Sequence, residues 1–224
     1  MNLERRTGRT VGILLLIQIT GLIVPFVLLH PIAAGPSQFL ANAAGSSASI
    51  TTAVFLLFAN CALTIGIGIL MWPMLYRKSP AAALWLVALA LIMFCMQAVD
   101  NAYILSIVSL SREYAAGGSP EVYGPLAAAL GATRLWVHYT ELLAVDLWIG
   151  FFYLTLLRQR AVPIALSAFG LFTVLLHLCG IPLARFVGLP VTMMLGPPMA
   201  LAHVATAAWL IARGFTESEE DKLA

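Results

Sequence analysis

The chain has 224 residues, of which 61% are hydrophobic and only 10% are charged. Soluble domains carry about 25% charged residues, so this composition excludes a sizeable soluble domain and predicts a polytopic membrane protein. The formal net charge of +2 is too small to indicate a nucleic-acid partner.

Six apolar segments predict an all-α bundle of six transmembrane helices in a single domain. Crossing the hydrocarbon core takes about 20 residues, and most of the segments reach that length. The predicted spans cover about residues 10–29, 50–76, 81–110, 132–157, 164–179 and 190–215, and residues 216–224 form a polar tail. The first apolar run is longer than the hydrophobic region of a signal peptide, so we expect it to be retained as span 1.

Two connections contain signals for short helices at the membrane surface. Gly35-Pro36-Ser37 predicts one that ends near Gly45. Residues 119–121, Ser-Pro-Glu, are typical of a helix start. At a rise of about 1.5 Å per residue, a helix from there to Arg158 would be about 60 Å long, too long for one span. We therefore expect glycine and proline near residues 124–131 to divide it into a short interfacial helix and span 4.

The basic residues indicate the orientation of the spans. They recur before span 1 and after every second span, and Lys and Arg are enriched in cytoplasmic loops. This pattern predicts cytoplasmic termini, with the two short helices on the outer side. The residues are Arg5, Arg6, Arg9, Arg77, Lys78, Arg158, Arg160 and Arg213.

Span 4 carries an unusual number of ionisable residues. At about 100° per residue, Arg134, His138 and Glu141 lie on one helix face, whereas Asp146 points elsewhere. An ionisable side chain at the bilayer centre costs about 2.5–3.5 kcal/mol on insertion scales, and such residues are candidate functional residues. The face therefore needs partners from other spans.

Polar residues of other spans fall in a similar layer, in the half of each span far from the basic ends, with Glu141 near mid-depth. We predict that they form a polar pocket that opens toward the outer leaflet and is covered by the two surface segments. Its centre would be Asp100, Arg134, His138 and Glu141, with His177 and His203 at its wall. Candidate substrate-binding residues are Asn60, Gln97, Asn101, Tyr103, Trp136 and Tyr139.

Four short motifs carry a family resemblance. They are residues 5–14, Arg-Arg-Thr-Gly-Arg-Thr-Val-Gly-Ile-Leu; residues 109–114, Ser-Leu-Ser-Arg-Glu-Tyr; residues 134–136, Arg-Leu-Trp; and residues 158–163, Arg-Gln-Arg-Ala-Val-Pro. With them the chain resembles a family of small bacterial integral membrane proteins of unknown function. The resemblance implies a polytopic helical fold in a bacterial inner membrane and supplies no activity.

Acid–base catalysis on an apolar substrate is the first functional hypothesis. A low-dielectric pocket favours a protonated carboxyl group, so Glu141 or Asp100 would hold a proton near neutral pH, while Arg134 or His138 sets the protonation of its neighbour. The substrate would be a lipid or an isoprenoid-like molecule from the bilayer, and terpene-cyclase-like chemistry is one instance. The alternative for the same residues is a structural salt bridge between spans 3 and 4.

Two further hypotheses use other features. His138, His177 and His203 come from three spans and would bind a metal ion, with Glu141 or Asp100 as a further ligand, or two of them would bind a b-type haem. Gly196-Pro197-Pro198 would make span 6 discontinuous, which is a pointer to ligand sites in transporters. The third hypothesis is therefore a small-molecule transporter or binding module.

Overall fold

The computed structural model describes residues 3–33, 35–189 and 191–216, which contain helices and no strand. Eight α-helices follow one another along this part of the chain. They are α1 (Leu3–Leu28), α2 (His30–Ala33), α3 (Pro36–Asn42), α4 (Ser47–Lys78), α5 (Pro80–Ala115), α6 (Pro120–Arg158), α7 (Ile164–Pro182) and α8 (Thr192–Arg213).

Six of these helices are long and apolar enough to cross a membrane: α1, α4, α5, α6, α7 and α8. The prediction of an all-α polytopic protein with six spans is confirmed. Most of the predicted polar tail, residues 217–224, lies outside the described residues, as does Pro190 at the predicted start of span 6.

The short helix predicted after span 1 is present as α3. Gly35 precedes it with a φ of 103°, a backbone conformation that side-chain-bearing residues rarely adopt. Pro36 then occupies the first helical position, where its missing N–H would have had no partner within the helix. Glycine and proline together therefore fix where α3 begins.

The predicted division of the segment before span 4 is not observed. Helix α6 runs without interruption from Pro120 to Arg158, through Pro125. A proline so near the start removes a single N–H bond in the second turn, and Gly131 only lowers helix propensity. The helix therefore tolerates both residues, and its 39 residues extend for about 58 Å.

Helix α8 is continuous as well, so the discontinuous span 6 on which the transporter hypothesis rested is not found. Pro197 and Pro198 lie inside the helix, five and six residues after its first residue. The N–H groups of the first turn have no helical acceptors, and the two prolines remove only the next bonds. This sequence signal marks the beginning of a helix and not a break in it.

Span 5 is longer than predicted. Helix α7 does not end at Gly180 but continues through Pro182 into a π-helical turn, Leu183–Val187. Gly188 ends that turn in the left-handed conformation, with a φ of 77°. The N–H of Gly188 donates to the carbonyl of Leu183, five residues earlier, which is the spacing of a π-helical bond.

The chain divides into two compact units. The first contains Met1–Ile19, Leu63–Ile92 and Leu143–Ala224. In its core, the indole N–H of Trp148 donates to the carbonyl of Leu86 at 3.1 Å, and Phe152 and Tyr153 are fully buried. Gly12 allows a close helix contact, since a Cβ there would lie 2.8 Å from the carbonyl oxygen of Ala207.

The second unit contains Thr20–Ala62 and Met93–Leu142. It has a core of its own, in which Phe39 of α3 packs with apolar residues of α4 and α5 such as Ile50 and Ile104. The buried hydroxyl of Ser111 donates to the carbonyl of Leu40 and accepts from the N–H of Ala44, both at 2.8 Å. These bonds join the short helix to α5.

Candidate functional site

An ion pair links α5 to α6 within the second unit. Arg134 Nε lies 3.3 Å from Oδ1 of Asp100, and a terminal guanidinium nitrogen donates to Oδ2 at 3.4 Å. The Nε contact is not aligned as a hydrogen bond, so it acts mainly through charge. Asp100 lies about four helical turns before the end of α5, and Arg134 lies about four turns after the start of α6. Equal distances from the connection between the helices bring the two side chains level.

His138 lies one turn after Arg134 on α6 and also faces the carboxylate of Asp100. Its Nδ1 is 3.1 Å from Oε2 of Glu141 and 4.0 Å from Oδ2 of Asp100. The imidazole side chain is 40% exposed, whereas those of Glu141 and Asp100 are 8% and 2% exposed. Both carboxylates thus approach the ring from its buried side.

The charges of this four-residue group, Asp100, Arg134, His138 and Glu141, do not balance when His138 is neutral. Two carboxylates then face one guanidinium, which leaves a net charge of −1 when both are ionised. Buried charges are costly unless they are paired. One additional positive charge, a proton or a bound cation, would bring the group to neutrality.

The predicted polar residues of α4 and α5 form a buried network beside this group. The Gln97 side-chain amide donates to Oδ1 of Asn101 at 3.0 Å, and the Asn101 amide donates to the carbonyl of Val54 at 3.3 Å. Asn60 packs closely against α1, where a Cβ at Gly21 would lie 2.8 Å from its Oδ1. The Asn101 bond links α5 to α4, and substrate binding by Asn60, Gln97 and Asn101 stays a prediction.

The predicted aromatic residues lie at the surface of the second unit. Trp136 is 51% exposed, and Tyr103 and Tyr139 are half-buried. The ring of Tyr139 is adjacent to that of His138, with centroids 6.3 Å apart. Tyr139 therefore lies beside the accessible imidazole, whereas Trp136, two residues before His138 on α6, points to another face of the helix.

A second carboxylate–histidine pair lies in the first unit, and the sequence analysis missed it. His177 Nδ1 is 2.8 and 2.9 Å from the two oxygens of Asp146. Asp146 lies about three and a half helical turns before the end of α6, and His177 lies about as far after the start of α7. This matched spacing about the α6–α7 connection was the available signal. The pair is almost fully buried, with the imidazole 7% and the carboxylate 1% exposed.

His203 is also paired within the first unit. Its Nδ1 lies 3.2 Å from the hydroxyl of Tyr153 and 3.1 Å from the carbonyl of Met199. The same hydroxyl is 3.4 Å from that of Thr206. His203 is 8% exposed, so these contacts give its Nδ1 partners in a buried position.

One group of three candidate metal ligands occurs among the described residues: Asp100, His138 and Glu141, whose donor atoms lie within 4.8 Å of one another. His177 and His203 do not join it. The metal site with three histidines and the b-type haem remain predictions.

Fold and site define a six-span helical membrane protein with a partly exposed ionic group in one of its two units. The chain belongs to the family described as Domain of unknown function (DUF4386), which matches residues 10–214. This match agrees with the resemblance seen in the sequence. No curated protein and no solved structure matches the chain.

Replacing Asp146 with Ala should destabilise the protein, because the buried Nδ1 of His177 loses its partner. A buried donor left without an acceptor costs about 1–3 kcal/mol. We expect a lower unfolding temperature in detergent, measured by circular dichroism. Glu113→Ala, which removes an exposed carboxylate on α5, serves as the control. An unchanged unfolding temperature in Asp146→Ala would show that the pair contributes nothing to stability.

Proposed function

We propose that the group of Asp100, Arg134, His138 and Glu141 is an acid–base site that acts on a molecule taken from the membrane. One observation carries the proposal: a half-exposed imidazole whose Nδ1 faces the buried carboxylate of Glu141 at 3.1 Å. A carboxylate on Nδ1 fixes the tautomer and orientation of a histidine and stabilises its charged form. The other ring nitrogen, Nε2, is then the atom that exchanges a proton with a bound molecule.

The remaining two residues support this role. Asp100 adds a second carboxylate 4.0 Å from the same Nδ1. Arg134 binds Asp100 from the other helix, so it holds that carboxylate in place and limits the excess negative charge. His138 would be the catalytic residue that meets the substrate, while Glu141, Asp100 and Arg134 would position it and set its charge.

The bilayer supplies the substrate on this proposal. The six spans imply contact with membrane lipids, and the ring of Tyr139 beside His138 provides an apolar surface. A lipid or an isoprenoid-like molecule fits these surroundings better than a water-soluble substrate. The orientation with cytoplasmic termini and the location in a bacterial inner membrane remain part of this proposal.

A divalent metal ion at the same residues is the second candidate. Zinc binds nitrogen and oxygen ligands at about 2.0–2.2 Å, so two ligands of one ion lie up to about 4.2 Å apart. The distances from His138 Nδ1 to Glu141 and Asp100, 3.1 and 4.0 Å, meet this limit. A bound ion would act as a Lewis acid. Against it, Asp100 is already paired with Arg134, and a divalent ion carries one positive charge more than the group needs for neutrality.

Nitrogen-15 NMR of labelled histidines tests the acid–base proposal, and the chain has only four histidines. In Glu141→Gln, we expect the ring signals of His138 to change, because an amide can donate as well as accept and no longer selects the Nδ1–H tautomer. The ring signals of His177 should stay as they are. In Asp146→Asn, the His177 signals should change and the His138 signals should stay as they are. Identical His138 signals with and without the Glu141 carboxylate would contradict the proposal.

Elemental analysis of the purified protein separates the two candidates. The acid–base proposal predicts far less than one zinc or iron atom per chain. A value near one that is lost in His138→Gln and kept in His203→Gln would make this a metal site instead. The His203 variant is the appropriate control because its imidazole belongs to a different hydrogen-bonded group.

A further inference from the structure

The basic helix ends define one boundary of the membrane. Arg77 and Lys78 end α4, Arg158 ends α6 and Arg213 ends α8. Lys and Arg at the ends of spans reach into the headgroup layer. Helix α5 begins at Pro80, two residues after the end of α4, and so starts at the same boundary. These helix ends give a reference point from which depth can be counted.

Counting residues from this boundary along α4, α5 and α6 gives the depth of the polar residues. The hydrocarbon core is about 30 Å thick, which is about 20 helical residues. Counting about 20 residues into each helix, Lys78 on α4 leads to Asn60, and Pro80 on α5 leads to Asp100. The same count from Arg158 on α6 leads to His138. The four-residue group therefore belongs at the second boundary of the core, whereas the sequence analysis placed Glu141 near mid-depth and the other polar residues in the outer half of their spans.

One further feature agrees with this depth. Trp136 and Tyr139 lie within two residues of His138 on α6, and Trp and Tyr are enriched at membrane–water interfaces. Helices α5 and α6 have 36 and 39 residues, about 54 and 58 Å, so each continues well beyond that boundary. His138 is therefore placed to meet lipid headgroups.

We propose that the ligand of this site is the ammonium group of a lipid headgroup, bound at headgroup depth. This inference rests on the proposed function, since it names the substrate class of the same site. The two carboxylates outnumber the one guanidinium, so a ligand with one positive charge completes the pairing. An ammonium group also brings three donors, and one of them can bind Nε2 of a neutral His138.

An anionic headgroup fits the same site poorly. A phosphate or carboxylate at His138 would face Asp100 and Glu141, whereas Arg134, the group's one guanidinium, is already paired with Asp100. Like charges in a partly buried site repel strongly because water screens them little. Charge thus selects aminolipids over anionic lipids of equal chain length.

Depth is tested with spin labels on a variant that lacks Cys61, Cys95 and Cys179. Labels at Trp136→Cys and Leu147→Cys both sit on exposed positions of α6, about 16 Å apart along the helix. We expect accessibility to a water-soluble relaxation agent at position 136 and to dissolved oxygen at 147. A label at 136 that is as deep as the one at 147 would overturn the inference.

Ligand class is tested by native mass spectrometry with phosphatidylethanolamine and phosphatidylglycerol of identical chains. We expect the wild-type protein to retain the ethanolamine lipid about tenfold more than the glycerol lipid. The ratio should approach one in Glu141→Gln and persist in Glu113→Gln, where the carboxylate lost is exposed. Equal retention by the wild-type protein would overturn the inference without any variant.

The two proposals fail separately. The histidine NMR experiment needs no lipid and reports only how Glu141 holds His138. A negative result there, with lipid preference intact, removes the acid–base role and leaves a headgroup-binding site. Equal lipid retention, with the NMR result as expected, removes the ammonium ligand and leaves the acid–base group.

Discussion

The scarcity of water among the spanning helices is the constraint on which this structure depends. An ionisable or strongly polar side chain there must find its partner within the protein. The described helices meet this requirement by pairing side chains across helices or one turn apart. The pairs are Asp100 with Arg134, Glu141 with His138, Asp146 with His177, and Tyr153 with His203.

Burial separates two pairs that are otherwise alike. Glu141–His138 and Asp146–His177 both place a carboxylate within 3.1 Å of a histidine Nδ1. In the second pair the imidazole is 7% exposed, so it can only fasten α6 to α7. In the first pair the imidazole of His138 is 40% exposed, and the carboxylate of Asp100 and the guanidinium of Arg134 belong to the same group. The same interaction is structural in one unit and a candidate for chemistry in the other.

Local patterns predicted what depends on one helix. Composition indicated the six spans, and the spacing of Arg134, His138 and Glu141 placed them on one face, as the structure shows. The sequence did not predict the partner of Asp146, because helix periodicity gives the direction of a side chain and not the neighbour it meets. Glycine and proline were also over-interpreted as breaks, since one lost bond near a helix start is tolerated.

Carbethoxylation of histidines by diethyl pyrocarbonate, followed by peptide mass spectrometry, measures which imidazoles can react with an incoming molecule. His138 alone, among the three histidines paired within the spans, should offer a ring nitrogen to the reagent. We expect rapid modification of His138 and little of His177 or His203, both of which are buried. Modification of all three at similar rates, or protection of His138, would contradict this expectation.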